Sequence, residues 1–385
     1  MQMMRKIVYL TGTRADFGLM SETLSAIDTA PHYDLTVLVT GQHLAADYGD
    51  TAREIIASGL NHHLLPAVAM RGEDGAEMAH GVAEQMHHIT DFLKAERPDL
   101  LLLLGDRGEM LAGAWAALFL GIPCLHFHGG ERSGTVDDPM RRPTGAFSQS
   151  QPPPPPQPRD RLLRMGEVAD CIFLLGAPGL DGIRRYKPDH SIIERLALQG
   201  DGPLICVLFH PVVQDMDLAA DQASTVLESI ASIKGRSVVF APNSDAGSAA
   251  IRDCYAAFRA RSGAASGSDA MQFHWVTHLG RDDYLSLLAS ADVLLGNSSS
   301  GIIEAASLGT PTVNVGDRQA MRERNACVFD CDFDSASIRA ALDMALACSG
   351  QFENLYDQGG CASRIVQCLD NLPWSSSVPK KAYSY

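Results

Sequence analysis

Short apolar runs alternate with longer amphipathic stretches along most of the chain, in two successive series. "KIVYLTGTRADFGLMSETLSAI" reads as a strand, a turn and a helix, and "DLTVLVTG" and "HHLLPAV" as further strands. "EMAHGVAEQMHHITDFLKAERP" has helical apolar spacing and ends before Pro98. "DLLLLLGD" is continuously apolar, as a strand buried on both faces of a parallel sheet must be. A helix in "GEMLAGAWAALFLG" and a strand in "PCLHFHGG" follow, and "CIFLLGAPGLDGI" reads as a further strand and turn. The second series starts near residue 203 with "PLICVLFHP" and continues through "SVVFAPN", "FHWVTHLG", "DVLLGNSS" and "TPTVNVGD". Strand–helix alternation twice over predicts an α/β chain of two doubly wound Rossmann-like domains. The expected domains are residues 1–190 and 191–385, joined near 184–202, with the final helix able to pack back on the first. Ligands in such folds sit where strands end, which makes the cleft between the domains the expected site.

Composition narrows the partners. A net charge of −15 argues against nucleic acid or an acidic membrane surface. No apolar run approaches the ~20 residues that span a bilayer, and "IVYL" after "MQMMRK" is too short for a signal peptide. The nine cysteines are scattered without a CxxC pair or a Cys/His cluster at zinc spacing. Free thiols, a cytoplasmic location and no metal site are therefore expected, with Cys327 and Cys331 structural. Oligomeric state is open, and a homo-oligomer is compatible with these features.

Four stretches carry chemistry. "GTRADFG" joins a strand to a helix, so its small residues would expose backbone amides to an anion, with Arg14 adding a charged fork. It is not GxGxxG, so a dinucleotide cofactor is not indicated. In "GNSSSGIIEAASLGTP", Asn297 or Ser298 caps a helix whose first turn carries Ser299, Ser300 and Gly301. Three serines and a glycine exceed what capping needs and suit a diphosphate, and Glu304 follows at a spacing suited to ribose hydroxyls. "LFHPVVQD" ends a strand with His210, and "GDRQAMRER" sets Arg318 directly after another, whereas Arg322 and Arg324 read as a solvated basic face. "LLGDRGE" places Asp106 and Arg107 at the end of the most apolar strand. "HFHGGERSGTVDD" adds His128, Glu131, Asp137 and Asp138 beyond the next. Carboxylates and an imidazole at neighbouring strand ends suit general acid–base work.

Across these motifs, in this order and over most of residues 5–325, the sequence resembles the hydrolysing UDP-N-acetylglucosamine 2-epimerases of sialic- and legionaminic-acid pathways. "GAPGLDGI" and "APNSDAG" belong to the same pattern. The resemblance implies a glycosyltransferase-B-like fold with the active site in the interdomain cleft, and no cofactor. The implied reaction converts a UDP-linked 2-acetamido sugar to the free 2-epimer plus UDP. Arg14, Arg107, His210, residues 298–301, Glu304 and Arg318 would bind the UDP-sugar. Asp106, His128, Glu131, Asp137 and Asp138 would surround the sugar, where two facing groups must move protons. Many relatives carry Glu at the position of His128. A glycosyltransferase of the same fold and a nucleotide-sugar-binding protein without turnover are the competing readings.

One stretch departs from the family. "MRRPTGAFSQSQPPPPP" replaces, at nearly equal length, a helix and a strand beside the acidic loop, as a locally shifted reading frame would. Five consecutive prolines cannot be helix interior, so residues 142–158 are expected to be irregular and mobile.

Overall fold

The computed structural model describes residues 4–45, 48–49, 51–134, 137–146, 149–151, 157–183, 186–262, 270–372 and 374. The first half carries strands β1 (Arg5–Thr11), β2 (Tyr33–Val39), β3 (His62–Leu64), β4 (Leu100–Leu104), β5 (Cys124–Phe127) and β6 (Gln149–Gln151). The second carries β7 (Leu204–Leu208), β8 (Gly235–Phe240), β9 (Met271–Val276), β10 (Val293–Gly296), β11 (Thr312–Val315) and β12 (Val328–Cys331). Both sheets are parallel, in the orders β3-β2-β1-β4-β5-β6 and β12-β11-β10-β7-β8-β9. Read from opposite ends, these are the same Rossmann order, 3-2-1-4-5-6. The expected pair of Rossmann-like units in a glycosyltransferase-B-like arrangement is therefore what forms.

The sheets are covered on both faces. All five residues of β4 are buried, its leucines dividing between the clusters on the two sides of the first sheet. The second sheet is enclosed in the same way. Helix Cys361–Asn371 packs on helix Arg14–Asp28, adding Cys361, Ile365 and Leu369 to a core of the first half.

Two expectations need correction. "CIFLLGAPGLDGI" forms no strand. It runs as an irregular segment between the short turns Ala169–Cys171 and Pro178–Leu180. Ile172 makes a single isolated bridge, and the Leu175 carbonyl accepts two hydrogen bonds from Arg364, at 3.0 and 2.7 Å. The stretch 142–158 is not irregular throughout either. Helix Asp137–Ala146, strand β6 and helix Gln157–Arg164 retain the helix and strand that the substitution was expected to remove. Residues 152–156, all proline, lie outside the described residues, as does the question of their mobility.

Candidate active site

Strand order reverses between β1 and β4 in one sheet and between β10 and β7 in the other, which opens a crevice at the carboxyl end of each. The four strand ends face one another across a cavity of about 280 Å³. Arg14, Asp106, Arg107, His128, His210, Ser298, Ser299, Ser300, Glu304 and Arg318 all line it. Glu131, Asp138 and Gly301 are not among its lining residues. Asp137 opens helix Asp137–Ala146, and the expectation for its carboxylate lies outside the described side chains.

On the second half, Asn297 pins the ends of β7 and β10 together. The His210 amide donates to Asn297 Oδ1 and Asn297 Nδ2 donates to the His210 carbonyl, both at 2.8 Å. Gly296 makes this possible with a φ of 142° and no room for a Cβ, which would lie 2.2 Å from the Leu208 carbonyl oxygen. His210 Nδ1 accepts from the Asn243 amide at 3.2 Å, which leaves the ring proton on Nε2. Burial, then Arg318, Arg107 and Arg14, push this imidazole down to about 3 against the pull of Asp245. His210 is thus a neutral donor at the cavity wall. Arg318 Nη1 donates to the Asn297 carbonyl at 3.2 Å and is held beside the same wall.

Ser298, not Asn297, caps helix Ser299–Ile303, accepting from the Ser300 amide. Ser300 Oγ lies 2.5 Å from the Tyr284 hydroxyl. Gly301 lets the helix pack closely, since a Cβ there would meet Thr312 Cγ2 at 2.5 Å, and it is not among the residues lining the cavity. Glu304 is ion-paired with Arg281, which also lines the cavity.

Arg14 reaches across from the first half. Its Nη1 donates to the Leu279 carbonyl at 3.0 Å, and its guanidinium lies 5.7 Å from the Tyr284 ring centroid. Burial lowers its pKa, opposed by Tyr284, Glu54 and Glu304, and it stays charged. The expected anion cradle of "GTRADFG" loses its first two amides. Asp16 forms a capping box with Thr13, and its carboxylate already accepts the amides of Gly12 and Thr13 at 3.1 Å. Arg14 and Ala15, at the first turn of the helix, line the cavity.

The acid–base side is built on β4 and β5. Asp106 is ion-paired with Arg141, a buried residue of helix Asp137–Ala146 that also lines the cavity. His128 has a φ of 63°, a left-handed conformation uncommon outside glycine and frequent at functional sites. Its Nδ1 is 3.1 Å from Glu131 Oε1, and its buried Nε2 has no hydrogen-bond partner among the described residues. Glu131 is buried, which would raise its pKa, but Arg322, His128 and Arg161 outweigh burial and hold it at about 2. Asp138 accepts from the Ser133 amide at 2.8 Å and the Gly134 amide at 3.1 Å, so it braces the loop that carries His128 and Glu131.

Arg107 was expected to meet substrate. Its Nη1 donates to Asp245 Oδ1 and its Nη2 to Ser244 Oγ, both at 3.2 Å, so it ties the two halves together at the cavity edge. Burial would raise Asp245, but Arg107 and Arg318 hold it below the ordinary carboxylate range. Sequence reasoning missed Arg141 and Asp245, saw in Asn297 only a candidate helix cap, and misread Arg322. Arg322 is not on a solvated face: its side chain is 8% exposed and Nη1 lies 2.7 Å from Glu131 Oε2. Only the strand-end position of Asn297 and the motif "APNSDAG" could have signalled any of them.

Comparison with known proteins bears on this arrangement. The family model described as UDP-N-acetylglucosamine 2-epimerase matches residues 25–370. The chain is 38% identical over 386 residues, covering 100% of both proteins, to UDP-N,N'-diacetylbacillosamine 2-epimerase (hydrolyzing) of Legionella pneumophila. It is 29% identical to UDP-N-acetylglucosamine 2-epimerase of Neisseria meningitidis, covering 98% of each. In fold it matches the Methanocaldococcus jannaschii UDP-GlcNAc 2-epimerase solved with UDP-GlcNAc and UDP. The TM-score is 0.77 at 18% identity, over 95% of this chain and 99% of that one.

Proposed function

The chain belongs to the UDP-N-acetylglucosamine 2-epimerase family, and on that premise we propose that it is a hydrolysing member. It converts a UDP-linked 2-acetamido sugar to the free 2-epimer and UDP. The observation that carries this reading is the meeting of two sets in one cavity. Arg14, His210, Ser298, Ser299 and Arg318 suit a diphosphate, and Asp106 and His128 suit proton transfer. The name of the Legionella relative favours a 2,4-diacetamido sugar as the substrate to try first, beside UDP-N-acetylglucosamine.

The C2 proton of such a sugar is not acidic, so its removal must accompany loss of the anomeric substituent. Of Asp106 and His128, one takes the C2 proton, and those electrons become the C1–C2 double bond. The C1–O bond breaks, and its electrons leave on UDP. Arg14 and Arg318, with the neutral His210 Nε2–H, stabilise the charge growing on the diphosphate. Glu304 with Arg281 suits the ribose. The second acid–base group then protonates C2 from the opposite face, and water adds at C1 and gives up a proton. Glu131 lies beside His128 as a carboxylate lies beside a catalytic imidazole, its Oε1 3.1 Å from Nδ1, with Nε2 left for the proton. Arg141 aims Asp106, and Asp138 holds the loop.

A glycosyltransferase would require an acceptor, and a binding protein would require a damaged acid–base side. The helix Asp137–Ala146, which presents Arg141 to Asp106, supports an intact one. Incubation with each UDP-sugar and no acceptor, followed by NMR, tests the reading. UDP and free 2-epimer in equal amounts are expected, and release of neither from both substrates contradicts it.

A further inference from the structure

Two neighbouring residues beyond β11, Arg322 and Glu323, each cross the cleft to a partner of opposite sign. Arg322 Nη1 lies 2.7 Å from Glu131 Oε2, and Arg161 Nη2 donates to Glu323 Oε1 at 2.6 Å. Arg161 also donates to the Gly130 carbonyl at 3.2 Å, so both pairs close on the loop that carries His128. The first pair is the drier one. The Arg322 side chain is 8% exposed and that of Glu131 2%, against 21% and 17% for Arg161 and Glu323. Glu131 meets His128 with its other oxygen. Arg322, Glu131 and His128 therefore form a line of buried groups running from the second half into the first. The contacts along it are ion pairs and not hydrogen bonds: both Glu131 oxygens and Arg322 Nη1, like His128 Nε2 at its end, have no hydrogen-bond partner among the described residues.

A buried carboxylate left without its cation is strongly unfavourable, and here the cation comes from the opposite side of the cleft. We propose that Arg322 is a positioning residue for proton transfer: it fixes the Glu131 carboxylate, which orients His128, so the acid–base group of the first half is complete only with the second half closed on it. This rests on the reading of His128 as a proton-transfer group. The charged and titratable groups facing Glu131 are Arg322, His128 and Arg161, with Tyr356 also within its electrostatic reach. Arg141, itself influenced by Arg322 and Arg161, and Asp106 share the cavity wall with His128. Removing one cation from this set favours protonation of the others.

The test compares Arg322→Gln with Arg322→Lys in the full chain. Arg322→Gln should lower kcat at least tenfold and leave KM within about threefold, because an interaction made for the transition state is lost. The limb of the pH–kcat profile that His128 governs should move up by about one unit, and Arg322→Lys should restore most of both. The His128 imidazole, followed by NMR without substrate, should show the same upward movement. That readout stands even where wild-type protein yields no product, so failure of the epimerase reading and failure of this inference are separable. An unmoved imidazole titration overturns the proposal. A raised KM with kcat retained also overturns it, making Arg322 a substrate-binding group. Should Arg322→Gln not fold, Glu131→Gln is compared with the double variant Glu131→Gln/Arg322→Met. Equal kcat values are expected, and a further tenfold loss in the double variant overturns the proposal.

Discussion

Asp106 follows the fully buried strand β4, lines the cavity and takes its only described ion pair from Arg141, away from the groups suited to diphosphate. Asp106→Asn should therefore abolish sugar release while UDP affinity, measured by calorimetry, stays within a few-fold. Unchanged turnover would remove Asp106 from the mechanism. Arg14→Ala and His210→Ala should each weaken UDP binding by roughly ten- to a hundredfold, since one hydrogen bond to a charged group is worth about 1.5–3 kcal/mol. Wild-type affinity in both variants would mean that the nucleotide lies elsewhere. His210 also shapes acid stability. In the unfolded chain its imidazole takes up a proton as pH falls through about 6.5, whereas the folded protein resists until about 3. Between those values the unfolded state binds more protons, so stability rises with pH and is lost on acidification. Glu131 acts in the same direction lower down. Its depressed folded pKa of about 2 gives a contribution present above about 4.5 and lost as pH falls toward 2. His210→Gln should flatten the stability profile between about pH 6.5 and 4.5 in urea titrations, and an unchanged slope there would contradict a buried neutral imidazole. At this scale the sequence disclosed residues standing at strand ends, because strand ends can be read locally. It hid Arg141, Asp245 and Arg322, whose meaning lies in partners far away along the chain, such as Arg322 with Glu131.

The elements that surround the site are held by close approach as much as by apolar burial. Helix Ser299–Ile303 lies so near β11 that Gly301→Ala would drive a methyl group to 2.5 Å from Thr312 Cγ2. Overpacking of this kind costs about 1–3 kcal/mol, and with a backbone shift it should disturb Ser299 and Ser300 as well. Denaturant midpoints together with UDP affinity check this: both should fall, and wild-type values for both would mean that the helix is loosely seated. Most elements were legible because their apolar spacing is either continuous, as in β4, or helical, as in Gly75–Glu96. Two were misread for opposite reasons. "CIFLLGAPGLDGI" has strand composition, but its carbonyl at Leu175 is satisfied by Arg364 from the last helix. The stretch around Pro143 has the composition of a linker, yet Met140 and Thr144 are joined by a helical side-chain hydrogen bond of 2.8 Å.

The two halves repeat one topology, and the fold follows from that repetition. What local pattern could not supply is how the halves meet. Arg14 with Leu279, Gln42 with Ser244, Arg107 with Asp245 and Arg322 with Glu131 all join residues more than a hundred positions apart. These contacts bring cations suited to a diphosphate within one cavity of two groups suited to proton transfer, which is what elimination of UDP followed by hydration requires. No helix among the described residues is long and apolar enough to cross a membrane. The central claim is that C2 loses its proton and gains another from solvent while UDP departs. Turnover of the UDP-linked 2,4-diacetamido sugar, or of UDP-N-acetylglucosamine, in heavy water tests it most directly, with the product examined by NMR. The predicted result is a free 2-epimer carrying one deuterium at C2, formed together with an equal amount of UDP. A product with only hydrogen at C2, or an epimer still attached to UDP, would contradict the account.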